Sequence, residues 1–436
     1  MKRIVVSFIF AGSLVVGFSQ HLSLANAEEA IELALKQNID FQNYLINQQK
    51  AEIEYKQAKS HRLPTITGTF NGQRNIDLAT TPLPAEIFGG EPGQTIDTQF
   101  GQDFNYNAGI SIYKEVFSRE AILQKEMARL NTELQEVSKE LYEELLSEQV
   151  SLYYYKAVIA KRAIELGEQD LESAERVQEL THQKLEQGIV DAITLNTAKI
   201  NCNSVKQSLN ANRQSEQQSL TELKQLLGMS SSDTLTLSGN FDYYLPEVFK
   251  PGQLNNSLQV ESASLQLRQA DTYVKVSQSS MLPTLSLNTY LGRQQFRNDF
   301  GLSFSGDDWS NYSYMSLNLS IPIFSGFTNR RNLKISKLDQ QIAFNEKVKT
   351  EQHAVLADRQ LIQEYQLSLE DARATLETYR LYEENKELTF QKYEEGLIGL
   401  DSYLKVFEEY LKAENTYLNS MSKVYAYYSQ ITPRVL

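Results

Sequence analysis

The side chains best suited to chemistry are few and widely separated in this chain. The four histidines, at positions 21, 61, 182 and 353, fit no metal-ligand spacing, and the single cysteine, Cys202, has no partner for a disulfide within the chain. Neither a glycine-rich phosphate loop nor a nucleophile set beside a base occurs in the sequence. We therefore expect no enzymatic activity, no metal and no cofactor.

The composition excludes several classes of protein. The 436 residues carry a formal net charge of -13, which phosphate backbones would repel, so nucleic acid is not expected as a partner. A mean hydropathy of -0.42, with no apolar run of about 18 residues, excludes a bundle of membrane helices. With 41% hydrophobic residues, the chain can still bury a sizeable core.

The first residues have the pattern of an export signal. Lys2 and Arg3 precede an apolar stretch from Ile4 to Phe18, and small residues follow. A stretch of about 15 residues is too short to cross a bilayer comfortably. We predict a signal peptide over residues 1–19; a short buried N-terminal helix is the alternative.

The remaining chain contains an internal duplication. The segment KAEIEYKQAKSHRLPTITGTF (50–70) aligns with QADTYVKVSQSSMLPTLSLNT (269–289), and HQKLEQGI (182–189) aligns with FQKYEEGL (390–397). Two matches in the same order indicate two structural repeats. The predicted parts are a first repeat at 20–230, a linker at 231–253 and a second repeat at 254–436.

Each repeat contains two segments with the period-two pattern of a β-strand. The strands are predicted at about 65–76, 104–115, 284–296 and 312–323. One face of these strands is apolar, and the other carries mainly Asn, Ser, Thr and Gly. Strands of about ten residues suit a membrane β-barrel. The residues predicted to face lipid are Phe104, Tyr106, Ile110, Ile112, Met315, Leu317, Leu319 and Ile321.

Two features bear on whether these strands lie in a membrane. Aromatic residues crowd the strand ends, and such rings favour the interface between lipid headgroups and water; in one hairpin they are Phe296, Phe300, Trp309, Tyr312 and Tyr314. The second feature is the nearly uncharged polar face, which suits a water-filled lumen. The half-buried sheet of a soluble protein is the alternative.

After each pair of strands the pattern changes to long helices. Apolar residues recur every seven positions from Leu145 to Leu166 and from Val348 to Leu376, and no proline interrupts 118–186 or 327–395. Each run corresponds to a helix on the order of 100 Å long. Each run is followed by a glycine, Gly188 or Gly396, and then by a returning helix, which predicts two helical hairpins.

Four strands cannot form a closed barrel by themselves. Unpaired backbone groups at a sheet edge are unfavourable in hydrocarbon, so several chains must share one barrel. Two chains would supply eight strands with a filled interior, whereas three would supply twelve around a polar lumen, which the polar face favours. The predicted fold is mixed and mainly α, with a long antiparallel coiled-coil α-barrel and a membrane β-barrel shared by three chains, four strands from each.

These features together resemble the outer membrane efflux protein family, the TolC-like channels. The resemblance rests on the signal peptide, the Leu-Pro before a strand in both repeats, IPIFSG (321–326) before a long helix, and the paired turns QKLEQGI and QKYEEGL. It covers about residues 25–428. YKEVFSRE (113–120) departs from the motif that the second repeat keeps as IPIFSG.

The resemblance implies a homotrimer in the outer membrane of a bacterium, with a helical tunnel in the periplasm. It also implies that the helical tips dock onto a periplasmic adaptor (membrane fusion) protein, which links the channel to an inner-membrane pump. Such a channel is a passive conduit of a tripartite efflux system or a type I secretion system. The alternative is a soluble exported coiled-coil adaptor or scaffold protein.

The resemblance also implies roles for individual residues. The family's tip glycine and the hydrophobic residue after it correspond to Gly188-Ile189 and Gly396-Leu397, where the adaptor is expected to dock. Tyr393 corresponds to a tyrosine that latches the closed entrance in related channels; the first repeat has Leu185 at that place, and the position for a basic partner holds Ile398.

Two carboxylates follow the tips. Asp191 and Asp401 are candidates for an acidic ring around the entrance, because charged rings set the selectivity of pores. Solvated acids at helix ends are the alternative. The loop at 80–99 is expected outside the cell, as a plug, a receptor or a merely mobile segment.

Overall fold

The computed structural model describes residues 21–230, 232–239, 246, 249, 254 and 257–435. The predicted signal peptide and most of the predicted linker lie outside these residues. The helices are α1 (Ala27–Gln37), α2 (Ile39–Ser60), α3 (Arg119–Glu186), α4 (Ala192–Leu226), α5 (Ser257–Ser279), α6 (Thr328–Glu394) and α7 (Leu400–Ile431). The strands are β1 (His21–Leu24), β2 (Thr65–Arg74), β3 (Thr80–Pro84), β4 (Thr95–Gln99), β5 (Phe104–Phe117), β6 (Thr234–Leu237), β7 (Thr284–Arg297) and β8 (Ser310–Ser320).

The fold is mainly helical, as predicted. Across the described ranges, no helix combines the length and the apolar character needed to cross a membrane. The chain forms two compact units, and each unit draws on both halves of the sequence. The first contains the described residues of Met1–Asn47, Val137–Glu261 and Lys349–Leu436, and the second contains Gln48–Glu136 and Ser262–Val348.

A four-stranded antiparallel sheet organises the second unit. Its strand order is β2-β5-β7-β8, so that strands of the first repeat pair with strands of the second. β5 and β7 occupy the centre, and β2 and β8 are the edges. Within the described chain neither edge pairs with a further strand. The loop at 80–99 contributes a separate hairpin of β3 and β4.

The register of the sheet places apolar residues of both repeats on one face. Ile110 pairs with Leu291, and Ile112 pairs with Thr289, which in turn pairs with Met315. Paired residues in an antiparallel sheet point to the same side. The shared face, which we call the apolar face, carries seven residues singled out from the sequence: Phe104, Tyr106, Ile110, Ile112, Met315, Leu317 and Leu319.

The eighth residue, Ile321, lies outside the strand. β8 ends at Ser320, and Ile321 belongs to the segment that leads to α6. Pro322 follows it and has no backbone N–H to donate, which ends the ladder. The predicted extension of this strand to 323 is therefore wrong.

The other face of the sheet, the polar face, contains a group of tyrosines. Tyr290 pairs with Ser111 on one side and with Tyr314 on the other, and its ring lies 5.8 Å from that of Tyr314. Tyr312 shares this face, because it lies two residues from Tyr314. Tyr312 and Tyr314 therefore belong to the polar face, which the strand-end position of these rings did not reveal.

Two glycines make room for the ring of Tyr290. Gly109 and Gly292 lie opposite each other on the central strands. A Cβ atom at Gly109 would lie 2.9 Å from Cζ of Tyr290 and 2.6 Å from the backbone oxygen of Leu291. The aromatic ring covers the backbone where both central strands lack side chains.

The first unit packs the long helices around an apolar core. Its buried residues come mainly from α3, α6 and α7, with two from α4, and include Ile159, Leu166, Val177, Ile362, Tyr365, Leu369, Phe407, Tyr417 and Met421. Ile159 and Leu166 belong to the predicted seven-residue spacing, and so do Ile362 and Leu369. By contrast, Leu145 is exposed, and its neighbour Leu146 is buried in a second cluster.

The helical stretch before the first strand of the sheet is divided into α1 and α2. Asn38 separates α1 from α2, and its side-chain Oδ1 accepts a hydrogen bond from the backbone N–H of Phe41 at 2.9 Å. Its Nδ2 donates to the backbone oxygen of Leu226 at 2.9 Å. Asn38 thus caps α2 and ties it to the end of α4.

Substitution of Gly109 tests the packing of the central strands. Gly109→Ala should destabilise the protein by about 1–3 kcal/mol, because the new Cβ meets backbone atoms that cannot move without shifting the sheet. The matched control is Gly68→Ala, where a Cβ would meet nothing within 4 Å. Thermal unfolding in detergent measures both, and equal midpoints for the two variants would refute this packing.

Candidate docking and gating site at the helical turns

The two turns between long helices have the same backbone geometry. After α3, Gly188 has a φ of +72°, and the N–H of Ile189 donates to the carbonyl of Lys184 at 2.9 Å. After α6, Gly396 has a φ of +75°, and the N–H of Leu397 donates to the carbonyl of Lys392 at 2.8 Å. This is the Schellman ending of a helix, in which glycine adopts the left-handed conformation without a steric penalty.

Each turn exposes one large apolar side chain. Ile189 is 65% exposed and Leu397 is 68% exposed. Each is fixed by its own backbone hydrogen bond to the preceding helix, so its position is defined although its side chain contacts little. The two turns therefore present equivalent apolar points, one from each repeat.

The two aspartates after the turns differ in their setting. Asp191 is the N-cap of α4, and its Oδ1 accepts hydrogen bonds from the hydroxyl and the backbone N–H of Thr194 at 2.7 and 2.8 Å. These hydrogen bonds hold the pKa of Asp191 below its usual value. Asp401 instead lies within the first turn of α7, which is capped by Gly399 without a side-chain hydrogen bond. The two carboxylates are not equivalent by position.

Tyr393 joins the ends of α6 and α3. Its hydroxyl lies 2.8 Å from Oγ1 of Thr181, and the residue is only 2% exposed. Nζ of Lys184 lies 4.1 Å from the centre of the tyrosine ring and donates to the Tyr393 backbone oxygen at 2.5 Å. We call Thr181, Lys184 and Tyr393 the clasp.

A second contact runs alongside the clasp. Arg176 of α3 forms an ion pair with Glu394 of α6 at 3.2 Å and also lies 4.5 Å from the ring centre of Phe390. The pair is exposed, so its contribution to stability is small. The ion pair nevertheless connects α3 and α6, the two helices that the clasp also joins.

A basic neighbour of Tyr393 was expected at position 398, which holds Ile398. The basic residue comes from the first repeat, as Lys184, and not from the position after the second turn. The aligned turns contained the signal: Lys184 matches Lys392, and Leu185 matches Tyr393. Only the packing of the two repeats against each other brings Lys184 to the tyrosine.

A buried charge cluster, which the sequence did not indicate, lies in the same unit. Asp170 of α3 and Glu414 of α7 are 1% and 4% exposed, and Lys386 of α6 is also buried. The hydroxyl of Tyr410 donates to Oε2 of Glu414 at 2.9 Å, and Nζ of Lys386 lies 4.1 Å from the tyrosine ring centre. Oδ1 of Asp170 has no hydrogen-bond partner among the described residues.

Burial raises the pKa of both carboxyl groups in this cluster. For Asp170, burial outweighs the opposing effect of Lys386; for Glu414, burial and then the charge of Asp170 raise the pKa. Glu383 of α6 adds to the rise at Asp170. Two carboxyl groups this close in a buried site do not both ionise readily. The pair therefore retains a proton at pH values above the ordinary pKa of a carboxyl group.

This pair predicts a pH dependence of stability. The folded protein binds the Glu414 proton more tightly than the unfolded chain does, so the free energy of unfolding falls as pH rises above about 4.3, the ordinary glutamate pKa. Glu414→Gln removes the charge and should flatten this fall, with a gain in stability on the order of 1 kcal/mol at alkaline pH.

The matched control is Glu408→Gln, an exposed glutamate on the same helix. Thermal unfolding of both variants is compared with wild type at about pH 5.5 and pH 8.5, on either side of neutrality. Identical pH dependence in wild type and Glu414→Gln would contradict the assignment.

The chain is similar to several solved structures of bacterial membrane proteins. The Campylobacter jejuni CmeC outer membrane channel aligns with a TM-score of 0.76 at 18% identity, over 97% of this chain and 90% of that chain. VceC of Vibrio cholerae aligns with a TM-score of 0.76 at 15% identity, over 94% of this chain and 95% of that chain. The open state of the Neisseria gonorrhoeae MtrE outer membrane channel aligns with a TM-score of 0.73 at 17% identity, over 94% of this chain and 88% of that chain. At these identities the likeness shows a common fold.

Sequence comparison identifies the family. A search of curated proteins found no significant match. The family model described as outer membrane efflux protein matches residues 30–229 and 253–430, which is most of the chain. The chain therefore belongs to the outer membrane efflux protein family.

Proposed function

We propose that three copies of this chain form a passive conduit across the bacterial outer membrane, as part of a tripartite efflux system or a type I secretion system. The observation that carries the proposal is the four-stranded sheet, which has one apolar face and whose two edges pair with no further strand among the described residues. Such a sheet fits a membrane only if its edges find partners.

The strand directions permit closure. Each strand is antiparallel to its neighbour in the order β2-β5-β7-β8, so β8 of one copy and β2 of the next also run in opposite directions. Three copies then give twelve strands in alternating directions. The even count and antiparallel arrangement are those of bacterial outer membrane barrels.

The two faces of the sheet suggest which side meets lipid. The apolar face, with Ile110, Leu291 and Leu317 among its exposed residues, would contact lipid. The polar face, with Asn107 and Ser111, would line a water-filled lumen. Twelve strands are wide enough to leave such a lumen.

The long helices would continue the conduit in the periplasm. In this arrangement the turns at Gly188 and Gly396 are the entrance, and Ile189 and Leu397 provide apolar contacts for a periplasmic adaptor protein. The adaptor would connect the channel to an inner-membrane pump, which selects the transported substance. The equivalent geometry of the two turns supports equivalent docking points.

The entrance would be controlled by the clasp. Tyr393 and Lys184 hold the ends of α6 and α3 together, so separating the two hairpins requires breaking this contact. Asp191 and Asp401 would lie at the same mouth and would favour cations. The polar hydroxyl pair of Tyr393 and Thr181 adds to the closed arrangement.

The conduit itself is tested with detergent-purified protein. We expect the mass of three chains and stepwise single-channel currents in planar bilayers, because only a shared barrel closes the sheet. Native mass spectrometry and bilayer recording measure the two properties. A stable monomer that conducts no current would contradict the proposal and support an exported soluble adaptor.

The clasp is tested with Lys184→Ala. The cation–π contact contributes on the order of 1 kcal/mol, so its loss should raise the open fraction about fivefold at the same voltage. Single-channel recording measures the open fraction.

The control for this experiment is Lys392→Ala, which removes the exposed lysine at the equivalent position of the other turn. It should behave as wild type. An unchanged open fraction in Lys184→Ala, or the same rise in both variants, would exclude the clasp as a latch.

A further inference from the structure

Three arginines form a row on the apolar face of the sheet. Arg74 of β2 and Arg297 of β7 both pair with Phe104 of β5. Arg293 pairs with Ala108, which lies four residues from Phe104 along β5. Since Phe104 and Ala108 belong to the apolar face, the three arginines lie on it too. Positive charge is thus concentrated on one apolar surface of a chain whose net charge is -13.

In the part of the chain that the structure describes, no ion pair involves these arginines. The guanidinium of Arg74 lies 5.8 Å from the ring centre of Phe104. Arg74 and Arg293 are exposed, and Arg297 is half-buried. The charges are available to a ligand outside the sheet.

The row lies at the loop ends of the strands. β5 continues into α3 and β8 leads to α6, so the helices join one end of the sheet, whereas Arg74 and Arg297 stand at the opposite ends of β2 and β7. Leu285 and Arg293 on β7 are separated by about 27 Å along the strand, at roughly 3.4 Å per residue. With the usual tilt, this is close to the height of the apolar band of a membrane barrel.

We propose that Arg74, Arg293 and Arg297 bind the phosphate groups of lipid A in the outer leaflet of the outer membrane. This inference rests on the proposed function, which places the apolar face in lipid and the helices in the periplasm. The loop ends of the strands then lie in the outer leaflet. There the arginine stems extend along apolar surface and the guanidinium groups reach the headgroups.

The chemistry favours a phosphate monoester. Guanidinium groups bind phosphate through paired, charge-assisted hydrogen bonds. A phosphate monoester carries about 1.5 to 2 negative charges at neutral pH, whereas the phosphodiester of a phospholipid carries one. A row of three cations therefore discriminates between lipids that both bear phosphate.

The test is a lipid titration of the detergent-purified full-length protein, read by native mass spectrometry. The probes are diphosphoryl lipid A, its dephosphorylated form and phosphatidylglycerol. Wild type should bind diphosphoryl lipid A on the order of 100-fold more tightly than R74Q/R293Q/R297Q does. The dephosphorylated form should bind wild type as weakly as diphosphoryl lipid A binds the triple variant.

The matched control is R330Q/R331Q, which removes two exposed arginines at the start of α6 and should bind as wild type. The single variant R293Q should show a smaller loss, which keeps the test informative if the triple variant folds poorly. Wild-type affinity in R74Q/R293Q/R297Q, or equal affinity for phosphatidylglycerol and diphosphoryl lipid A, would overturn the proposal.

Single-channel recording distinguishes a failure of the lipid site from a failure of the proposed conduit. Channels of normal conductance that do not prefer diphosphoryl lipid A would refute the lipid site and leave the conduit intact. A wild-type protein that neither assembles nor conducts would instead refute the proposed function.

Discussion

Among the described residues, both edges of the four-stranded sheet, β2 and β8, pair with no further strand, and this limits the environments in which one chain can be stable alone. β2 and β8 each expose a full row of backbone donors and acceptors, which is unfavourable in hydrocarbon and invites uncontrolled pairing in water. The duplication places one edge in each repeat and keeps the strand directions alternating. The same edges that prevent a single chain from closing allow several copies to close together.

The duplication also explains how the sheet, the turns and the clasp are built. In the sheet, the central pair β5 and β7 comes from different repeats, and its register unites apolar residues of both on one face. At the turns, the repeats supply the same glycine geometry but different neighbours, since Tyr393 stands where the first repeat has Leu185. The clasp thus forms only between unlike copies of one motif.

Local patterns predicted much of this arrangement. Alternation located the four strands to within a few residues at most ends, and a glycine after a long periodic run located both turns, because each signal is contained in the residues that form the element. The sequence did not indicate the break at Asn38, and it did not indicate that β8 ends before Ile321. Asn38 is held by Leu226, far away in sequence, and the effect of Pro322 on the strand was underestimated.

Features that depend on the meeting of distant helices could not be read from the sequence. Lys184 reaches Tyr393 across 209 positions, and Asp170, Lys386 and Glu414 come from three different helices. Each looks like an ordinary surface charge in its own helix. Burial then changes their chemistry, as the raised pKa values of Asp170 and Glu414 illustrate.

Disulfide crosslinking between the edge strands measures whether β2 of one copy lies beside β8 of the next. In a Cys202→Ser background, each variant carries one cysteine in β2 and one in β8. The protein is oxidised in membranes and then separated by mass under denaturing conditions. We expect covalent dimers and trimers for cysteine pairs in matching register on β2 and β8, and none for pairs on β2 and the central strand β7. Monomers alone at every edge pair would contradict this arrangement.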